Sequence, residues 1–180
     1  MHDFYNSVAT RYDAFIRLHH YVGPRWLAHA LRELPAHANV IDFGCASGVL
    51  GNAIRQYTSN AQMIGIDISN EMLDVASTSF HYDALHEHDL NKPVPLLETA
   101  SADLLVAFGF IEFILTLSVF LSGACRCLRP NACLLISFQE HRPDEPGVTP
   151  LTTQTAGAIS HHAYTVDEVG AFLQKPPLTF

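Results

Sequence analysis

Five short apolar runs alternate with helix-periodic stretches between Asn39 and Phe138, and this alternation limits the fold more than any other feature of the chain. "VIDF", "MIGID", "ALHEH", "DLLVAF" and "ACLLISF" read as strands, the third more weakly than the rest. Between them, Leu50, Ile54 and Tyr57, then Met72, Val75 and Ala76, then the stretch from Leu115 to Leu128, place apolar residues at helical spacing. Such repetition predicts an open, mostly parallel sheet with helices on both faces. A chain of 180 residues fits one domain of this α/β kind. Ligands of these sheets bind beyond the carboxyl ends of the strands. The positions to read for function are therefore Asp42–Gly48, Asp67, Asp89 and Phe108–Glu112.

The flanks read differently. Phe4, Val8, Tyr12 and Phe15/Ile16 recur at helical spacing and predict an amphipathic helix. A second helix is expected after Pro24, burying Trp26, Leu27, Leu31 and Leu34, and ending at Pro35. Leu104–Ala124 is apolar enough to suggest a membrane span, but Gly109 and Glu112 split it into a strand and a helix. Residues 141–163 form a Pro/Gly/Thr-rich stretch without periodicity, the kind of loop that walls or lids a site. A last helix follows in "TVDEVGAFLQ", with Thr165 as N-cap and Glu168 as its capping-box partner.

Charge excludes some partners. The formal net charge is −8, and Lys92 and Lys175 are the only lysines. Phosphate backbones need Lys/Arg clusters, so nucleic acid is not an expected ligand, and no basic amphipathic stretch points to a membrane surface. The chain opens without a signal-peptide pattern, which predicts a cytoplasmic, reducing environment and free thiols. Cys125, Cys127 and Cys133 have no zinc-site spacing, and His86 and His88 lack a third ligand, so no metal is expected.

"VIDFGCASGVLG", residues 40–51, carries the chemistry. A glycine-rich turn after a strand raises the possibility of a dinucleotide fold. The G-x-G-x-x-G fingerprint is missed, however, because Ala46 stands where Ala46-Ser47-Gly48-Val49-Leu50-Gly51 needs its first glycine. Asp42 just before the turn disfavours pyrophosphate and suits a cationic ligand. Asp67 ends the second strand, where a carboxylate accepts from ribose hydroxyls, and Asp89 follows the third, where it accepts from an adenine amine. Three acids at three successive strand ends describe one elongated adenosyl ligand with positive charge.

These motifs resemble those of class I S-adenosylmethionine-dependent methyltransferases, in particular small-molecule enzymes related to quinone biosynthesis. "VIDFGCASG", "GIDISNEML", "HDLNKP", "DLLVAFGFIEFI" and "CLRPNACLLIS" are similar to that family's successive segments, and "FYNSVATRYDAF" to its N-terminal helix. The resemblance implies a Rossmann-like fold with residues 1–36 as a helical lid, 37–140 as the cofactor-binding core, and 141–180 as substrate loop and last helix. It implies S-adenosylmethionine as cofactor, S-adenosylhomocysteine as product, and a cofactor site of Tyr12, Asp42, Gly44, Cys45, Ala46, Gly48, Asp67, Ile68, Met72, Asp89, Leu90 and Phe108. Three departures stand out: Ala46 for the middle glycine, Asn131-Ala132 for Gly-Gly, and a C-terminal strand pair that is shortened or missing. Asparagine tolerates the left-handed conformation, so the second is expected to preserve the turn. The third leaves the fifth strand as an edge that a homodimer or another partner chain could cover.

Transfer from a sulfonium needs proximity and exclusion of water more than acid–base help. His141 and Glu112 are the expected catalytic residues, the first as base and the second as an orienting acid. Phe108, Phe110, Phe113, Tyr5, Tyr12 and Trp26 suggest a small hydrophobic or aromatic acceptor. Two other functions compete: a non-catalytic protein of this fold that binds or activates a partner subunit, and a nicotinamide oxidoreductase.

Overall fold

The computed structural model describes residues 2–33, 39–78, 81–93, 99–138, 154–156, 159–161 and 163–173. Five strands form one all-parallel sheet: β1 (Asn39–Phe43), β2 (Gln62–Asp67), β3 (Ala84–Glu87), β4 (Ala102–Ala107) and β5 (Leu128–Ile136), in the order β3-β2-β1-β4-β5. The order reverses at β1, between β2 and β4, which is the topological switch where ligands of such sheets bind. All five expected strands are present, in the expected sequence.

The helices fill both faces. They are α1 (His2–Val8), α2 (Tyr12–Leu18), α3 (Gly23–Arg32), α4 (Gly51–Tyr57), α5 (Asn70–Ser77), α6 (Leu117–Cys127) and α7 (Val166–Leu173). Val40, Met63, Leu104 and Val106 meet Leu27, Leu31, Leu50 and Ile54 on one face. Ile41, Phe43, Leu105 and Ala107 meet Phe120, Leu121 and Ala124 on the other. Period-two alternation with both faces covered is why each strand reads as an unbroken apolar run. Leu104–Ala124 resolves into β4, a 3-10 turn at Ile111–Phe113 and α6. Among the described residues no helix is long and apolar enough to cross a membrane.

Several local expectations hold. Asn131, the fourth residue of β5, adopts φ +66, and the register against β4 shifts between Ala102 and Leu104. The capping box at α7 is reciprocal: Thr165 N donates to Glu168 Oε2 at 2.8 Å, and Glu168 N to Thr165 Oγ1 at 3.1 Å. β5 lies at the edge of the five-stranded sheet. β6 (Gln154–Ala156) and β7 (Ile159–His161) pair antiparallel as a separate hairpin. The short strand expected in "PPLTF", and Leu34 and Pro35 of the second helix, lie outside the described residues.

Two expectations fail. The single N-terminal helix is two, α1 and α2, joined by a 3-10 turn at Ala9–Arg11, and Ala9 is the only buried residue among the three elements. Phe4 and Phe15 face outward, because Tyr5 and Tyr12 are the rings turned toward the sheet's carboxyl edge. Trp26 is 68% exposed. α3 buries Gly23, Leu27 and Leu31, an i, i+4, i+8 stripe, and Trp26 lies about a quarter turn off it.

Candidate functional site

The site begins where β1 ends. Gly44 and Cys45 both donate backbone N–H groups to the Ile66 carbonyl, at 2.8 and 3.1 Å, which stitches the turn to the end of β2. Gly44, Ala46 and Gly48 adopt φ +69, +46 and +85. The first and third need glycine's freedom; Ala46 adopts a left-handed conformation that a Cβ opposes. A Cβ on Gly44 would stand 2.4 Å from the Phe110 ring, so that position is closed on both counts.

Asp67 organises the turn. Its Oδ2 accepts from Ala46 N and its Oδ1 from Ser69 N, both at 2.9 Å. Burial raises its pKa, and the N–H groups of Ser69, Ala46 and Ile68 oppose that rise by favouring the carboxylate. Two carboxylate oxygens offer about four acceptor directions, so capacity remains for ligand hydroxyls. Ser69 caps α5 by accepting from Met72 N at 3.1 Å, and its hydroxyl donates to Asn6 Oδ1 at 2.6 Å. Ser47 donates to Asp13 Oδ1 at 2.5 Å. The N-terminal helices are thus fastened to the loops after β1 and β2.

The far side is built by the loops after β3 and β4. Asp89 closes a tight turn by accepting from Asn91 N at 3.0 Å, and pairs loosely with Lys92 at 3.6 Å. Asn91 bridges the two loops: its Nδ2 donates to the Phe113 carbonyl at 3.3 Å, and its Oδ1 accepts from Leu115 N at 2.7 Å. Tyr164, ahead of α7, donates to the Ile114 carbonyl at 3.0 Å and ties the C-terminal helix to the same 3-10 turn.

Together these elements enclose a cavity with about 540 Å³ of empty space, counting its open mouth. Of the expected cofactor residues, Tyr12, Gly44, Ala46, Asp67, Ile68, Asp89 and Leu90 line it. Tyr5, His88, Asn91, Gly109, Phe110, Phe113 and Ile114 complete the wall. Tyr5 stands edge-on to Tyr12 and Phe113, with centroids 6.3 and 6.2 Å apart.

Five expected cofactor residues lie off that wall. Asp42 is fully buried beneath the turn, accepting from the Tyr82 hydroxyl at 2.7 Å, because the pleat aims it to the same face as Val40. Cys45 is buried with its sulfur against Gly65. Gly48 serves the turn itself, donating to the Cys45 carbonyl at 2.9 Å. Met72 is fully buried on the inner side of α5, and Phe108 packs into the cluster beneath α3 and α4. Glu112 is the middle residue of the 3-10 turn after β4, ahead of α6 rather than in its first turn. Its charge reaches Tyr5, Tyr12 and Tyr21. His141 lies outside the described residues. Asn91 and His88 were not foreseen as wall residues; the proximity of "HDLN" to the third strand's end was the available signal.

The chain thus presents an open parallel sheet with a cavity at the switch point, lined by an acid that ends β2 and another that follows β3. The profile of the "Methyltransferase domain" family matches residues 41–134, and the chain belongs to that family. The fold is that of class I S-adenosylmethionine-dependent methyltransferases, whose cofactor is S-adenosylmethionine. An S-adenosylmethionine-dependent methyltransferase of Thermotoga maritima superposes with a TM-score of 0.71 at 15% identity, over 97% of this chain and 80% of that one. One from Mesorhizobium loti gives 0.65 at 20% identity, over 84% and 79%. The Haloferax volcanii partner of the Trm112 methyltransferase activator gives 0.62 at 21% identity, over 72% of this chain and 57% of that one. No curated protein matches the chain. The comparisons do not single out quinone-biosynthesis enzymes.

Proposed function

We propose that the chain transfers a methyl group from S-adenosylmethionine to a small hydrophobic or aromatic acceptor by in-line displacement. The observation that carries this reading is one cavity shared by Asp67, Asp89, the left-handed turn at Gly44–Ala46 and four aromatic rings. Bound S-adenosylmethionine supplies an activated methyl on a good leaving group. Asp67 holds the ribose hydroxyls, Asp89 the adenine amine, and Leu90 and Ile68 give the base an apolar seat. Tyr5, Tyr12, Phe110 and Phe113 exclude water and align the acceptor. Glu112 orients a polar group of the acceptor, and His141 is the candidate base. A cytoplasmic location belongs to the same proposal.

A second reading, a partner-binding protein of this fold, rests on the position of β5 at the sheet edge. The Haloferax volcanii neighbour, solved in complex with the Trm112 activator, is in keeping with it.

Calorimetric titration with S-adenosylmethionine, S-adenosylhomocysteine and NAD tests the first reading. Micromolar binding of both adenosyl ligands, none of NAD, and a loss of at least about a hundredfold in Asp67→Ala are expected, equivalent to roughly 2.7 kcal/mol. A folded wild-type chain that binds neither adenosyl ligand, or that binds NAD, overturns it.

A further inference from the structure

We infer that the corner between α2 and α3 is a docking surface for an anionic lipid bilayer, which seats the cavity mouth against the membrane. The docking stands on the surface alone. Its use, the delivery of an acceptor dissolved in the bilayer, rests on the methyl-transfer reading.

The corner is apolar on its outer side. Ten large hydrophobic side chains are exposed among the described residues, and five of them fall in the short run from Phe15 to Trp26. Leu18 is 74% exposed, Trp26 68% and Phe15 53%, with Tyr21 and Val22 between them. Phe15 and Leu18 are about one turn apart on α2, and Val22 and Trp26 are one turn apart where α3 begins. The connection is tight: Tyr21 N donates to the Ile16 carbonyl at 2.9 Å, and Trp26 N to the Val22 carbonyl at 3.0 Å. Single exposed apolar residues are ordinary, whereas a cluster marks a contact surface. The pattern is spread over two short helices and their turn, so the sequence shows no single basic amphipathic helix.

Charge selects the partner. The chain is acidic overall, at −8, yet half of its arginines, Arg11, Arg17, Arg25 and Arg32, lie between residues 11 and 32, against one acid, Asp13. Asp13 is engaged by the Ser47 hydroxyl, and Arg32 donates to the Tyr57 hydroxyl at 2.9 Å. Arg17 and Arg25 are exposed, within the same run as the apolar cluster. Arginine beside Trp, Phe and Leu is the composition that lies in a headgroup layer, with rings at the acyl boundary and guanidiniums at phosphate level. A second copy docked through the same face would bring these arginines up to their own counterparts. A single-stranded nucleic acid uses stacking faces, which Leu18 and Val22 do not offer.

Position links the surface to the cavity. The Tyr21 ring lies over Gly109, where a Cβ would stand 2.8 Å from its hydroxyl, and Gly109 lines the cavity. Tyr12, on α2 itself, lines it too. A bilayer against the corner therefore borders the mouth, and an apolar acceptor enters from the lipid phase with little exposure to water.

Trp26 is the chain's one tryptophan, so its emission reports on the corner directly. The full chain is titrated with vesicles of phosphatidylcholine alone or with about 30% phosphatidylglycerol, and co-sedimentation is the second readout. Trp26 emission is expected to move to shorter wavelength with lipid, and the anionic vesicles to bind at least about tenfold tighter than the neutral ones. Arg17→Gln with Arg25→Gln is expected to bring that ratio under about threefold. Phe15→Ser with Leu18→Ser is expected to weaken binding to both vesicles by at least about tenfold. All four residues are exposed, so both variants are expected to keep the wild-type Tm and S-adenosylhomocysteine affinity. No spectral shift and no sedimentation at millimolar lipid, equal affinity for the two vesicles, or vesicle binding unchanged in either variant overturns the proposal. So does Trp26 emission that is already shielded from quencher in the lipid-free chain, or that shifts only with protein concentration or with a single-stranded oligonucleotide. A chain that docks but takes up no S-adenosylhomocysteine fails the cofactor reading instead, so the two failures are told apart.

Discussion

Asp42 makes the stability of this protein depend on pH in a direction opposite to that of most carboxylates. It is fully buried; its Oδ2 accepts from Tyr82, and its Oδ1 accepts no hydrogen bond among the described residues. Burial raises its pKa from 3.8 to about 7, the Tyr82 hydrogen bond pulls it down, and Asp67 pushes it up. Cys45 and Tyr21 are the other titratable groups coupled to it, and neither carries positive charge. The rise corresponds to roughly 4 kcal/mol against the charged form. Below the unfolded value of 3.8 the acid is protonated in both states and costs nothing. Between that value and about 7 the folded chain keeps a proton that the unfolded chain releases, so stability falls as pH rises, and above about 7 the loss is complete. Asp42→Asn stays uncharged and keeps an oxygen for Tyr82. Its stability relative to wild type is expected to rise by roughly 2 to 4 kcal/mol between about pH 5 and pH 8, read from urea melts at four pH values. Other titrating groups are common to both proteins and cancel in the difference. A difference that is flat over this range, or that falls, refutes the reasoning.

The glycine turn supplies two predictions of opposite sign. Gly44→Ala places a methyl 2.4 Å from Phe110 at φ +69, and is expected to cost at least about 2 kcal/mol and to weaken S-adenosylhomocysteine binding, measured by urea melts and calorimetry. Ala46→Gly relieves a left-handed alanine at φ +46 and is expected to gain up to about 1 kcal/mol after glycine's entropy cost, visible as a higher Tm; an unchanged or lower Tm contradicts the strain.

The sheet was legible because a parallel sheet covered on both faces writes its strands as continuous apolar runs. The place of Asp67 and Asp89 on the cavity wall was legible because an acid at or just past the end of such a run has few places to go except the carboxyl edge. Asp42 was not, since its side chain depends on the pleat: one place before the strand's end, it shares Val40's face and points under the turn. Met72 and Phe108 failed for a related reason, lying near the site in sequence but rotated into the core. Trp26 shows the reverse error, hydrophobic in type but off the buried stripe of its helix. Asn91 bridges two loops, and that role exists only once both loops have been folded against each other.

The N-terminal helices bring a kinetic consequence. They contribute one buried residue, Ala9, and are held to the loops by the Asn6–Ser69 and Asp13–Ser47 hydrogen bonds together with the two tyrosine rings. Hydrogen bonds of this sort stabilise by about 1 kcal/mol each, against 5–15 kcal/mol for a whole domain. The segment is therefore expected to open at a small fraction of the free energy that unravels the sheet, as a cooperative unit of its own. Under the proposed function, exchange of spent for fresh cofactor would run on that local clock. Changes that toughen the core are then expected to leave its rate alone, and loss of the Ser47 or Ser69 hydroxyl to raise it.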